Sequence, residues 1–148
     1  MSATGKGRQF VDSNVIIYSL DSTASEKRAK AEALLDRLWQ AREGCVSVQV
    51  LQEFFVVATT KLRNALRLAD ARQKVAALSE WTVHRPGPAD LLAAIDVQEE
   101  LRISFWDAMI IQSARQMGCS VLWTEDLNDG QRYAGLLVRN PFVDTLME

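Results

Sequence analysis

Histidine is nearly absent from this chain: His84 is the single one in 148 residues. Chemistry that needs a pair of imidazoles is therefore excluded, and His84 itself falls in a short β-prone run where an exposed or structurally bonded ring is expected. Cysteine is scarce as well. Cys45 and Cys119 lie far apart and form no metal-type spacing such as Cys-x-x-Cys, so a disulfide framework is not expected and a reducing compartment fits. Long apolar runs are missing, none approaching the roughly 20 residues of a membrane span. The polar stretch from Met1 to Gly7 has no signal-peptide core, which points to the cytoplasm. Nor does either sign of charge dominate: 17 Lys and Arg face 19 Asp and Glu, for a net charge of −2. That balance argues against a protein that coats nucleic acid by bulk electrostatics. It leaves open one that meets phosphate through a cation held on local carboxylates.

What is present is the composition of a soluble globular protein, 48% apolar and 24% charged, and the length suits a single domain over residues 1–148. A β-prone run at 8–11 ends in the polar triplet Asp12-Ser13-Asn14 and feeds an apolar helical stretch at 15–20. Thr23 and Glu26 have capping-box spacing, Ala31, Leu34, Leu35 and Leu38 recur at helical intervals, and Gly44 can close that helix. Further on, β segments are expected at 45–48, 81–84, 120–123 and 137–139. Helices are expected at 49–62 (capped by Ser47), 70–78, 89–101 and 105–117 (capped by Ser104). Short strands alternating with helices require crossover connections, and so a mostly parallel sheet covered on both faces in an α/β architecture. No repeat or low-complexity segment interrupts the pattern.

Ligands of open α/β sheets sit beyond the carboxyl ends of the strands, and two acids belong there: Asp12 after the first strand and Asp126 after the strand at 120–123. Asp107 lies in the first turn of its helix, three residues after Ser104. Glu53 stands on an otherwise apolar helix and needs a partner. Each has a plainer reading: helix cap for Asp12, turn residue for Asp126, capping box for Asp107, surface carboxylate for Glu53. Taken together, four carboxylates at one crevice are natural ligands for Mg²⁺ or Mn²⁺.

In order along the chain, Phe10-Val11-Asp12-Ser13-Asn14, the helix around Glu53, Phe105-Trp106-Asp107-Ala108 and Thr124-Glu125-Asp126 resemble the motifs of the PIN-domain nucleases, and more closely the VapC-type toxins of bacterial toxin/antitoxin pairs. The resemblance implies a three-layer α/β/α fold, divalent-metal-dependent cleavage of RNA, a homodimer, and a cognate antitoxin that wraps or plugs the active-site groove. It implies Asp12, Glu53, Asp107 and Asp126 as metal-binding catalytic acids. Asp129 is a second candidate in the last motif, and Asn128 a supporting one. Asn14 and Thr124 are expected to orient ligands or waters.

For RNA contact the candidate is the run containing Lys61, Arg63, Arg67, Arg72 and Lys74, whose alternative is a solvated helix surface. Two other functions compete. A Mg²⁺-dependent receiver or phosphatase also gathers acids at strand ends. However, the late-strand lysine of a receiver is replaced by Arg139-Asn140-Pro141, and the Asp-x-Asp of a phosphatase by Asp12-Ser13-Asn14. A non-catalytic domain of the same fold would bind RNA or protein without cutting, and the four acids weigh against it.

Overall fold

A computed structural model describes residues 7–143 of the chain. Its elements run β1 (Gln9–Val11), α1 (Ser13–Tyr18), α2 (Ser25–Ala41), β2 (Gly44–Ser47), α3 (Val48–Thr60), α4 (Leu68–Leu78), β3 (Thr82–His84), α5 (Pro88–Leu101), α6 (Phe105–Gln116), β4 (Val121–Trp123), β5 (Arg132–Tyr133) and β6 (Leu136–Arg139). Among the described residues the strands form one sheet in the order β3-β2-β1-β4-β6-β5, parallel except for the β5/β6 pair.

That order explains the layers. The chain steps outward from β1 through β2 to β3, then returns past β1 to place β4 on its other side. Because parallel crossovers are right-handed, reversing the direction of travel sends the connecting helices to the opposite face. Helices α1 to α4 pack with one another on one side and α5 with α6 on the other, and β2 meets α2, α3 and α6. The result is a three-layer α/β/α sandwich with a mostly parallel sheet. Phe10, Val11, Val46, Leu122 and Val138 of the strands are fully buried between the helices, as parallel strands covered on both faces must be.

Two of the predicted caps form. The Ser47 hydroxyl accepts from Val50 N at 3.3 Å, and that of Ser104 accepts from Asp107 N at 3.0 Å. Ser104→Ala should cost about 1 kcal/mol of stability, read as a lower urea midpoint. A variant with the wild-type midpoint would mean that water replaces the cap.

Other local features differ from expectation. The Thr23–Glu26 box is not made: the Thr23 backbone N–H and hydroxyl both donate to Asp21 Oδ1, at 2.9 and 2.6 Å, and Ala24 precedes α2 without a side-chain cap. Asp21, two residues upstream, offers a closed local turn that competes with capping. Gly44 does not close α2. Arg42 takes the left-handed conformation there (φ 58°), and Gly44 opens β2 beneath the Trp81 ring, where its missing Cβ makes room. The final strand is half of a hairpin, since β5 pairs with β6 across Ala134-Gly135, both at positive φ (52° and 91°) as a two-residue type I′ turn requires.

Candidate active site

The register of the central strands builds the site. Val11 of β1 pairs with Trp123 of β4, so the next residues, Asp12 and Thr124, leave the sheet side by side. The Thr124 hydroxyl donates to Asp12 Oδ2 at 2.9 Å, and Asp12 Oδ1 accepts from Ser13 N at 2.7 Å, so Asp12 also caps α1. Asn14 lies across the same seam. Its amide group donates to Asp126 Oδ2 (3.1 Å), to Thr124 Oγ1 (3.2 Å) and more weakly to Asp12 Oδ2 (3.4 Å), while its carbonyl oxygen accepts from Glu125 N. Thr124 Oγ1 in turn accepts from Asp126 N at 3.1 Å. Glu125 points away, into an ion pair with Lys27 of α2, whose ammonium lies 4.6 Å from the Tyr18 ring centre. Anchoring Glu125 in that way leaves Asp126 on the crevice side.

Glu53 arrives from α3. Ser13 Oγ donates to its Oε1 and Gln49 Nε2 to its Oε2, both at 3.1 Å. The Gln49 amide nitrogen also reaches the backbone oxygen of Trp106 at 3.3 Å, tying α3 to the start of α6 and so to Asp107. Sequence reasoning missed Ser13 and Gln49 as partners of Glu53. Gln49, one turn before Glu53 on the same helix, was legible as an i,i+4 partner, whereas Ser13 carries no signal until the fold brings α1 against α3. Tyr133 of the unexpected hairpin was missed for the same reason. Its buried phenol is raised above its ordinary pKa by desolvation and by the Asp107 charge.

Electrostatics couples all four acids. Asp12 is 5% exposed, and burial pushes its carboxyl from 3.8 up to about 7, with Glu53 and Asp126 adding repulsion and the Thr124 and Ser13 hydrogen bonds opposing the rise. Asp107 is also raised, by desolvation and then by Asp126, against the Ser104 bond. Among the described residues no lysine or arginine pairs with any of the four. Nor are three of them closed into a cage around one point. The ends of β1 and β4 and the adjoining helices thus gather hard oxygen donors that no lysine or arginine among the described residues neutralises, one of them buried. A divalent cation that keeps part of its water shell fits such a donor set.

The other candidates are placed elsewhere. Asp129 accepts from Asn140 N at 2.7 Å and faces Arg139 at 3.6 Å, closing the loop between β4 and β5. Asn128 donates to Gln131 within the same loop. The five cations do not share one face. Arg67 pairs with Asp70, Arg72 borders an apolar cleft with Leu51, Phe55 and Val56, Lys74 borders a groove between α2 and α4, and Lys61 and Arg63 are exposed after α3. His84 bridges β3 to both α5 and α6, with Nδ1 2.8 Å from Ser113 Oγ and Nε2 3.5 Å from Asp90. Among the described residues no helix is long and apolar enough to cross a membrane.

A family model described as the PIN domain matches residues 10–135. No curated protein matches the chain in sequence. Solved structures do match in fold. A toxin–antitoxin complex from Klebsiella pneumoniae superposes with a TM-score of 0.66 at 18% identity, over 90% of this chain and 97% of that one. DNA-bound VapBC from Salmonella typhimurium gives 0.64 at 18%, over 91% and 98%. VapC20 of Mycobacterium tuberculosis, a toxin that cleaves the sarcin-ricin loop, gives 0.56 at 20%, over 77% and 86%.

Proposed function

We propose that this chain, which belongs to the PIN domain family, is a divalent-metal-dependent ribonuclease and the toxin of a toxin–antitoxin pair. The observation that carries the reading is the seam between β1 and β4, where one hydrogen-bond network holds Asp12, Asn14, Thr124 and Asp126 with Glu53 and Asp107 in electrostatic reach. The pairing with an antitoxin is supported by the fold neighbours, which include toxin–antitoxin complexes. A homodimer and a cytoplasmic location complete the proposal.

Mg²⁺ or Mn²⁺, when bound, supplies Lewis acidity toward a phosphodiester and acidifies a water for attack on phosphorus. Asp12 and Asp107 would be the main ligands, with Glu53 and Asp126 completing the set. The remaining work belongs to the side chains around them. Thr124 and Ser13 each donate to one oxygen of Asp12 and fix its plane; Asn14 adds a weaker bond on the Thr124 side, so Oδ1 keeps a lone pair for a ligand. Ser13 and Gln49 do the same for Glu53, and Asn14 for Asp126. Rigid carboxylates of this kind hold a cation without reorganising, which is the usual contribution of outer hydrogen bonds. Asp129 is left to its loop in this reading.

The test is cleavage of a mixed, end-labelled RNA pool with Mg²⁺ or Mn²⁺, with chelator, and with Asp107→Asn in parallel. Cation-dependent cleavage lost in the variant is the expected result. Cleavage that survives chelation, or an inactive protein that nonetheless binds the cation, would overturn it.

A further inference from the structure

We propose that the Trp106 indole is a stacking platform for one unpaired nucleobase of the RNA, set beside the carboxylates. This rests on the ribonuclease reading above and adds a base-contacting residue to it.

Trp106 is 62% exposed, the most exposed tryptophan among the described residues, and immediately precedes Asp107. The other three have partners. Trp39 and Trp81 lie with ring centres 5.8 Å apart, and Trp123 lies beneath the guanidinium groups of Arg37 and Arg139 at 5.7 and 5.9 Å. Among the described residues the one ring contact of Trp106 is with Phe105, edge to face, with centres 5.1 Å apart and planes at 74°. Phe105 is itself packed against the core, so the indole is braced from one side while most of its surface meets water.

Its attachment point is also fixed relative to the acids. The Gln49 amide spans the Trp106 carbonyl oxygen at 3.3 Å and Glu53 Oε2 at 3.1 Å, which links the main chain at the indole to a site carboxylate through a single side chain. In this assignment the base flanking a phosphodiester held at the acids lies on the ring of the residue that precedes Asp107. An aromatic face binds any base, because every base has a π-face, and it can do so only where the base is free of a duplex.

Steady-state cleavage of a single-stranded RNA oligonucleotide tests the assignment in wild type, Trp106→Ala and Trp106→Phe. The alanine variant should raise KM roughly 10- to 100-fold with little change in kcat, and phenylalanine should restore most of the loss. An oligonucleotide lacking one base at the stacked position should make wild type as weak as the alanine variant and should not weaken that variant further. An active wild type with unchanged KM in Trp106→Ala overturns the platform alone. So does a changed solution mass in that variant, which would assign the ring to a protein contact. A wild type that cleaves no RNA with either cation overturns the ribonuclease reading, and the platform falls with it.

Discussion

Replacing Asp12 by asparagine should abolish cleavage and, at the same time, stabilise the metal-free protein. The loss of activity should be on the order of 1,000-fold or more, because an amide offers a cation no charge and lacks one of the two oxygens. The gain in stability follows from burial. Asp12 is 5% exposed and its carboxyl is pushed from 3.8 to about 7, so its ionised form is held in the fold against desolvation and two neighbouring acids. Its folded pKa lies above the unfolded one, so its contribution is complete below about pH 4 and is lost as pH rises to about 7. Wild type in chelator should weaken over that window, and Asp12→Asn should lack this component. At pH 8 the variant should be more stable by on the order of 1–3 kcal/mol, less than the full shift implies because an amide nitrogen would face the Thr124 and Asn14 donors. Adding Mg²⁺ should raise the stability of wild type and leave the variant unchanged. Urea unfolding in chelator from pH 4 to pH 8 measures all of this, and a variant less stable than wild type at pH 8 would show that Asp12 is a structural acid.

Gly44→Ala should be the most damaging single-methyl change in the sheet. A Cβ there would lie 2.5, 2.6 and 2.7 Å from three atoms of the Trp81 ring, distances that no packed carbon tolerates. Gly44 is buried and paired with Gln9 across β1, so the strand cannot retreat, and the indole must move instead. Moving it disturbs the Trp39–Trp81 contact. The expected cost is about 1–3 kcal/mol, the usual range for overpacking, read from the urea midpoint at constant slope. In a Trp81→Leu background the same change should cost much less, because the two residues are in contact. Equal costs in both backgrounds would mean that the clash is absorbed elsewhere.

Much of this protein was legible from residues alone, and the reason differs by element. Ser47 and Ser104 announced their helices because capping is decided within four residues, and α6 runs over 105–116 against an expected 105–117. Asp12 and Asp126 could be assigned to strand ends because apolar runs beside polar triplets mark such ends. The misreadings share another cause. At Thr23 two local bonding schemes compete, and the sequence carries no weight to choose between them. Gly44 read as a helix terminator because its actual reason, the Trp81 ring, lies 37 positions away (81 − 44) and arrives only when β3 docks on β2. The Ser13 partner of Glu53 and the approach of Tyr133 to Asp107 likewise depend on which elements are neighbours, and local pattern does not carry strand order.

The strand order β3-β2-β1-β4-β6-β5 has a consequence for how the protein is made. The strands on one side of the β1/β4 seam come from the first part of the chain and those on the other side from the last part. Each part brings two of the four acids: Asp12 and Glu53 from the first, Asp107 and Asp126 from the second. A growing polypeptide can complete β1, β2 and β3 with their helices and still hold only half a site. The two halves meet where Trp123 pairs with Val11, so neither part of the chain alone holds the complete set of acids.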